Sequence, residues 1–150
     1  MNKITEWFLN QKPLTIFLLC FLGIPIYIWV FSIIYQLDKK RNVTESLLKI
    51  IVVGIITIYP IVYFSFFISI FFNLIGIIPL DLFDFIMPFH LAAMFCGFLL
   101  LIIAANSYGE FEKSRKIKTY ESVGVFFMLW FYIIGVWILQ PNLNKYINDK

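Results

Sequence analysis

Charged residues are scarce in this sequence. Asp, Glu, Lys and Arg make up 14% of its 150 residues, whereas 61% of the residues are hydrophobic. Ordinary soluble domains carry about 25% charged residues, because their surfaces face water. A soluble fold of this size cannot bury so much apolar surface. The composition therefore excludes a typical soluble domain and indicates a protein whose solvent is the lipid bilayer.

Cysteine and histidine are also scarce, with two cysteines and a single histidine. Cys20 and Cys96 both lie inside apolar runs, whereas a disulfide framework places its cysteines in segments that face an oxidising compartment. A metal site needs converging ligands, typically at least three from the protein. The sequence also lacks an H-E-x-x-H motif, a G-x-S-x-G motif and a Gly-rich phosphate loop. We therefore predict a protein that is not an enzyme, with no catalytic residues, no metal and no cofactor.

Ionisable residues are missing from the middle of the long apolar runs. A charge buried in a bilayer is costly, so carriers that couple transport to protons or cations keep such residues for function. Their absence argues against a carrier of this kind. The net charge of +3 comes from Lys and Arg residues beside the ends of these runs, where they meet lipid headgroups. Short basic stretches without interleaved aromatic residues predict no binding of nucleic acid.

The sequence does contain four long apolar runs, close in length to the roughly 20 residues that cross a bilayer. They cover residues 14–35, 50–74, 89–106 and 123–139. A helix satisfies its own backbone hydrogen bonds in lipid, so helices are the default structure for such runs. The sequence therefore predicts an all-α polytopic membrane protein, a four-transmembrane-helix bundle in one domain over residues 1–150.

The Lys and Arg residues between these runs predict an orientation. Residues 36–49 and 107–122 together carry eight of them, against four in the two terminal segments, and the segment between the second and third runs has none. Basic segments stay in the cytoplasm under the positive-inside rule. We therefore expect a multi-pass protein of a bacterial inner membrane, with both termini outside and those two segments in the cytoplasm.

The segment PLDLFDFIMPFH joins the second and third runs and holds Asp81, Asp84 and the lone histidine, His90. Two interpretations are open. In the first, Asp81 and Asp84 cap and stabilise the start of a short helix that Pro88 ends. In the second, the two aspartates and His90 act together at the outer headgroup level, in proton or metal chemistry. The spacing favours the first, because His90 lies on a different helical face from the aspartates.

Small and polar residues inside the runs predict helix contacts or a polar path. Ala93 and Gly97 recur at four-residue spacing, which lets two helices approach closely. Ser65 and Ser69 have the same spacing in the second run. Together with Asn73, these two serines are candidates for lining a pore, which several copies of so small a chain would have to assemble.

Two motifs resemble an uncharacterised family of small four-span bacterial integral membrane proteins. One motif, FHLAAMF, opens the third run, and the other, GVWILQPNLNK, closes the fourth. The matching positions are Phe89, His90, Ala93, Met94, Phe95, Gly135, Trp137, Gln140, Pro141, Asn144 and Lys145. The resemblance implies a membrane fold and no activity, and it raises the structural importance of Trp137, Gln140 and Asn144. Pro141 is expected to end the last helix.

These observations favour a non-enzymatic accessory or interaction protein whose partners are the lipid bilayer and a membrane or cytoplasmic protein. The segment from Glu110 to Glu121 alternates acidic and basic residues at helical spacing, which fits a solvated helix or a docking surface. A small oligomeric pore former or membrane-disrupting effector is the alternative. A lipid-handling membrane enzyme that uses Asp81, Asp84 and His90 is the third class.

Overall fold

The computed structural model describes residues 2–41, 47–73, 80–117 and 121–148. Within these residues the chain is all-α, with seven helices and no strand, as the sequence predicts. In chain order the helices are α1 (Asn2–Asn10), α2 (Pro13–Cys20), α3 (Ile24–Lys40), α4 (Leu47–Asn73), α5 (Leu80–Ser114), α6 (Ser122–Trp130) and α7 (Tyr132–Asn148).

Two of the described helices, α4 and α5, are long and apolar enough to cross a membrane. The candidate spans among the described residues are Ile51–Ile68, of 18 residues, and Phe85–Ser114, of 30 residues, which ends in a charged turn. At about 1.5 Å per residue, even the shorter stretch is close to the thickness of a hydrocarbon core. These helices confirm the second and third predicted runs as candidate spans. Pro88 lies inside the continuous helix α5 and does not end a short helix, so that expectation was wrong.

The first and fourth predicted runs are each divided into two helices. The first breaks between α2 and α3 at Gly23, whose φ of 77° lies in the left-handed region that glycine adopts without strain. The fourth breaks between α6 and α7 at Phe131, whose φ of −89° and ψ of 57° are not helical. The expectation of one continuous helix over each of these runs was therefore wrong.

The α6–α7 pair is a hairpin that enters and leaves at the same end of α5. At its start, Ser122 packs against Gly109 of α5. At the turn, the ring of Trp130 packs edge-on against an aromatic ring in the middle of α5. Near the end of α7, the Tyr146 hydroxyl donates a 2.7 Å hydrogen bond to Glu112 of α5. The chain therefore reverses its direction at the break after α6.

The α2–α3 pair also reverses, at Gly23. Beyond this turn α3 runs parallel to α5, because Tyr27 lies beside Gly97 and Arg41 forms a 2.6 Å ion pair with Glu110. α2 runs in the opposite direction to α3, from the Glu110 end of the bundle towards the turn. Each of the two hairpins therefore begins and ends at one end of the bundle.

Both ends of the described chain lie at this same end of the bundle. The Lys40 Nζ, at the end of α3, donates hydrogen bonds of 2.7 and 2.8 Å to the backbone carbonyls of Tyr146 and Ile147. The ammonium group thus caps the last turn of α7, where carbonyls lack helical partners. Asn10 of α1 accepts a 3.1 Å hydrogen bond from Asn148.

This arrangement differs from the predicted orientation of the chain ends. The sequence places both termini on the opposite membrane face from residues 36–49 and 107–122, because it counts four crossings. In the structure, Lys40 and Glu112 lie beside α1 and the end of α7. The difference arises because two of the four apolar runs turn back on themselves.

Near the α6–α7 turn, the backbones of the two helices approach each other closely. Gly135 is buried, and a Cβ atom at this position would overlap the backbone carbonyl of Met128 in α6. Gly54 of α4 has no atom within 4 Å of the position where a Cβ would stand. Gly135 is therefore required for the close approach of α6 and α7, whereas the site of Gly54 has room for a larger side chain.

We predict that Gly135→Ala lowers the free energy of unfolding by about 3 kcal/mol, because backbone must move to admit the methyl group. The matched change Gly54→Ala should be neutral or stabilising by about 0.5–1 kcal/mol, because alanine loses less backbone entropy in a helix. Thermal unfolding of both variants in detergent, followed by tryptophan fluorescence, measures the difference. Equal melting temperatures for the two variants would contradict the packed hairpin.

Candidate functional site

A buried polar cluster centres on Gln140 of α7. Its side chain is fully buried. The Gln140 Oε1 accepts a 2.8 Å hydrogen bond from the Trp29 Nε1 of α3. The Gln140 Nε2 lies 3.1, 3.1 and 3.0 Å from the backbone carbonyls of Phe8, Leu9 and Gln11. The two N–H bonds of this amide are shared among three carbonyls at and just beyond the end of α1, where helical partners are lacking.

Two further amides of α7 extend this contact along one helix face. Asn144 and Asn148 follow Gln140 at four-residue spacing, which places the three side chains in a row. Asn144 donates a 3.2 Å hydrogen bond to the Gln11 carbonyl, and Asn148 donates one to the side chain of Asn10. We call Trp29, Gln140 and Asn144, with the α1 carbonyls that they bind, the carboxamide cluster. It joins α1, α3 and α7.

A second polar group joins α3, α4 and α5. Asp38 is buried, and its carboxylate pairs with Lys49 of α4 and with Arg41, the latter at 3.2 Å. Arg41 also pairs with Glu110 of α5 at 2.6 Å. A buried carboxylate without partners is strongly destabilising, so these pairs fix the relative positions of the three helix ends. We call these four residues the ionic cluster.

Glu112 is buried as well, which corrects the expected docking segment. The sequence places Glu112 within the segment from Glu110 to Glu121, which fits a solvated helix or a docking surface. In the structure the Glu112 carboxylate faces inward and accepts the hydrogen bond from Tyr146. The Arg115 guanidinium lies 5.6 Å above the ring of Phe111. The exposed charges of this segment are the acidic Glu110 and Glu121 and the basic Lys113, Arg115 and Lys116, and residues 118–120 lie outside the described part of the chain.

The predicted outer cluster is described only at His90. Its ring is exposed, and its Nδ1 lies 3.1 Å from the hydroxyl of Tyr63 in α4. Asp81 and Asp84 belong to α5, but their side chains lie outside the described part of the structure. Among the described residues, no group of three or more His, Cys, Asp or Glu side chains could hold a metal ion.

The candidate pore positions lie on α4. Ser65 is exposed, and its hydroxyl donates a 2.8 Å hydrogen bond to the Ile61 carbonyl of its own helix. This bond leaves the hydroxyl directed along α4 and not into a path between helices. The side chains of Ser69 and Asn73 lie outside the described part of the structure.

Three of the remaining candidate residues, Ala93, Gly97 and Trp137, make packing contacts, whereas Pro141 does not have its expected role. Ala93 is buried, and Gly97 lets the ring of Tyr27 lie against α5. Trp137 is 49% exposed and packs against Phe17, with ring centroids 6.0 Å apart. Pro141 lies inside α7, which continues to Asn148, so the expectation that it ends the helix was wrong. Its missing N–H does not prevent the helix from continuing.

No protein-family model, curated protein or solved structure matches this chain. The resemblance to small four-span membrane proteins therefore stays a prediction. The carboxamide and ionic clusters bond side chains to other parts of the same fold, which is the chemistry of a clamp between helices.

Sequence reasoning missed Trp29, Asp38 and Tyr146 as members of these clusters. It placed Trp29 within a continuous span and Asp38 within a cytoplasmic segment. One signal was present, because Gln140 is an amide at the end of an apolar run, where a buried polar group needs partners. Its partners are more than 100 residues away in the chain, at Trp29 and at the end of α1.

We predict that Gln140→Ala lowers the free energy of unfolding by about 2–4 kcal/mol, because it leaves carbonyls and an indole N–H buried without partners. Trp29→Phe should be less destabilising in the Gln140→Ala background than in the wild type, because the two side chains share a hydrogen bond. A double-mutant cycle by chemical unfolding in detergent measures this coupling. The exposed Asn106→Ala change serves as the control and should shift stability by no more than about 0.5 kcal/mol. A coupling of zero would contradict the cluster.

Proposed function

We propose that the chain is a non-enzymatic integral membrane protein of a bacterial inner membrane, with an accessory or interaction role. In this proposal α4 and α5 cross the bilayer, and the α2–α3 and α6–α7 hairpins enter it from the cytoplasmic face and return there. The observation that carries the proposal is the distribution of positive charge over the folded chain.

Every described Lys and Arg lies at the end of the bundle where the two hairpins begin and end. No Lys or Arg occurs between Lys49 and Lys113, so the whole α4–α5 hairpin is free of them beyond its base. The described basic residues are Lys3, Lys12, Lys39, Lys40, Arg41, Lys49, Lys113, Arg115, Lys116 and Lys145. Four crossings would divide the basic residues eight to four, whereas two crossings put them all on one face. The positive-inside rule favours the second arrangement and makes that face cytoplasmic. We call this end of the bundle the basic end.

The turns of both hairpins have the backbone bonding that burial in lipid requires. Irregular backbone is tolerated in a membrane only where its polar groups find partners. The Gly23 N–H donates to the Cys20 carbonyl at 3.0 Å. At the other turn, the Phe131 N–H donates to Phe127 at 2.8 Å, and its carbonyl accepts from Gly135 at 2.9 Å. These bonds support turns that lie within the bilayer.

The short helix α1 fits the headgroup region beside the basic end. Its inward face carries the buried residues Thr5 and Leu9. Its outer face carries Ile4 and Trp7, which are 62% and 48% exposed, next to the exposed Lys3. A helix with an apolar outer face, a tryptophan and a flanking lysine is typical of one that lies along a membrane surface.

The non-enzymatic part of the proposal rests on how the polar side chains are used. The carboxamide and ionic clusters hold helix ends together, and Glu112 bonds to Tyr146 in the interior. At and just after the end of α5, the exposed Glu110 is paired with Arg41, and the exposed basic residues are Lys113, Arg115 and Lys116. These three residues can attract anionic lipid headgroups or an acidic segment of a membrane or cytoplasmic partner.

We predict that single cysteines at Lys3 and Lys116 have the same accessibility, opposite to that of a cysteine at Ile77 between α4 and α5. In a Cys20→Ser, Cys96→Ser background, a membrane-impermeant maleimide applied to intact spheroplasts should label Ile77→Cys alone. Permeabilisation should expose all three positions.

A control and a contrary outcome complete this test. Lys145→Cys reports the other chain end and should behave like Lys3→Cys. Labelling of Lys3→Cys and Lys145→Cys from outside, together with protection of Lys116→Cys, would show four crossings and overturn the proposed topology.

A further inference from the structure

The number of helices in the bundle changes abruptly along its long axis. From Gly97 to Glu112, α5 contacts side chains of α3, of Arg41 just after α3, and of α7. Towards its start, α5 is exposed instead. Every described side chain from Phe85 to Ala92 is exposed except Ile86, which is partly exposed.

The other long helix shows the same change. The turn of the α2–α3 hairpin lies against Phe64, so α3 accompanies α4 up to this residue. Val53, Thr57 and Pro60 are buried nearer the start of α4, whereas no described α4 side chain beyond Phe64 is buried. In this region the described contacts of α4 are with α5, through Tyr63 to His90 and along an apolar groove of about 250 Å³. The two hairpins therefore end well short of the far end of α4 and α5.

The change falls near the middle of a bilayer. The apolar stretch of α5 begins at Phe85. The first α5 residue that lines a groove shared with α3 and α6 is Met94. At about 1.5 Å per residue, the segment between them spans about 13 Å, close to one leaflet of a roughly 30 Å hydrocarbon core. One leaflet then holds six described helices, α2 to α7, and the other holds two.

We propose that this chain is a membrane-curving wedge, which bends the bilayer so that the leaflet at its basic end is on the convex side. The proposal rests on the two-crossing topology proposed above. A body that displaces more lipid from one leaflet expands the area of that leaflet, and curvature towards it relieves the mismatch. The α1 helix adds to the same leaflet, because shallow amphipathic helices favour convex surfaces.

The test uses the full-length protein in vesicles of phosphatidylethanolamine and phosphatidylglycerol over a range of diameters. The Cys20→Ser, Cys96→Ser, Lys116→Cys variant is labelled with a permeant fluorophore, and an impermeant quencher then separates molecules with the basic end outside from those with it inside. Single-vesicle fluorescence gives the density of each orientation against vesicle diameter.

We expect a several-fold higher density of outward-facing molecules on the smallest vesicles than on the largest, and the reverse trend for inward-facing molecules. The two orientations are controls for each other, because they share sequence, label and lipid. A folded helical membrane protein of uniform cross-section should show neither trend. Electron cryomicroscopy at rising protein-to-lipid ratio should show tubes or small vesicles.

Two results would overturn the wedge. A density that does not depend on diameter in either orientation would do so, even if cysteine labelling in spheroplasts upholds the two crossings. Efficient cross-linking of Val62→Cys between copies, combined with no curvature preference, would mean that a second copy fills the thinner leaflet. Labelling that shows four crossings would overturn the topology itself, so failure of the proposed topology is distinguishable from failure of the wedge.

Discussion

The fold depends on the need to satisfy the carbonyl groups at the end of α1 in an apolar setting. A helix that ends inside or beside a membrane leaves four carbonyls without helical partners, and lipid offers none. The Gln140 carboxamide meets three carbonyls at this end and accepts the Trp29 indole N–H in return. Because α1 can end here, the chain can turn into α2 and form a hairpin. The same side chain ties α7 to α1 and α3.

The other polar contacts gather at the same end and fix the base of each hairpin. Lys40 caps the last turn of α7, and Arg41 joins α3 to α5 through Glu110. Asp38 brings in the start of α4 through Lys49. The turns at the opposite ends of the hairpins are held mainly by close packing, as at Gly135. This division fits a body whose base meets headgroups and whose turns meet acyl chains.

This arrangement sets what the molecule can do in a membrane. The polar side chains of the two clusters bond within the fold, whereas the basic end presents Lys113, Arg115 and Lys116 outward. In the proposed topology, the leaflet at the basic end holds six described helices and the other leaflet holds only α4 and α5. The molecule is then asymmetric across the bilayer. The positive charge and the larger number of helices lie at the same end, because the basic end, which attracts anionic lipid, is also the wider end. This agreement supports the proposed membrane-shaping role.

Composition and the length of the apolar runs determine the helical class and the two long helices α4 and α5, because hydropathy reports burial in lipid directly. They do not decide whether a run crosses or returns, since both outcomes need the same apolar residues. Gly23 is only a weak signal for a turn, and Phe131 is none. The tertiary structure decided both reversals, through contacts such as Trp29 with Gln140, 111 positions apart. It also decided which Lys and Arg residues lie at the same end of the bundle. The number of Lys and Arg residues in each segment predicts an orientation only when the number of crossings is given.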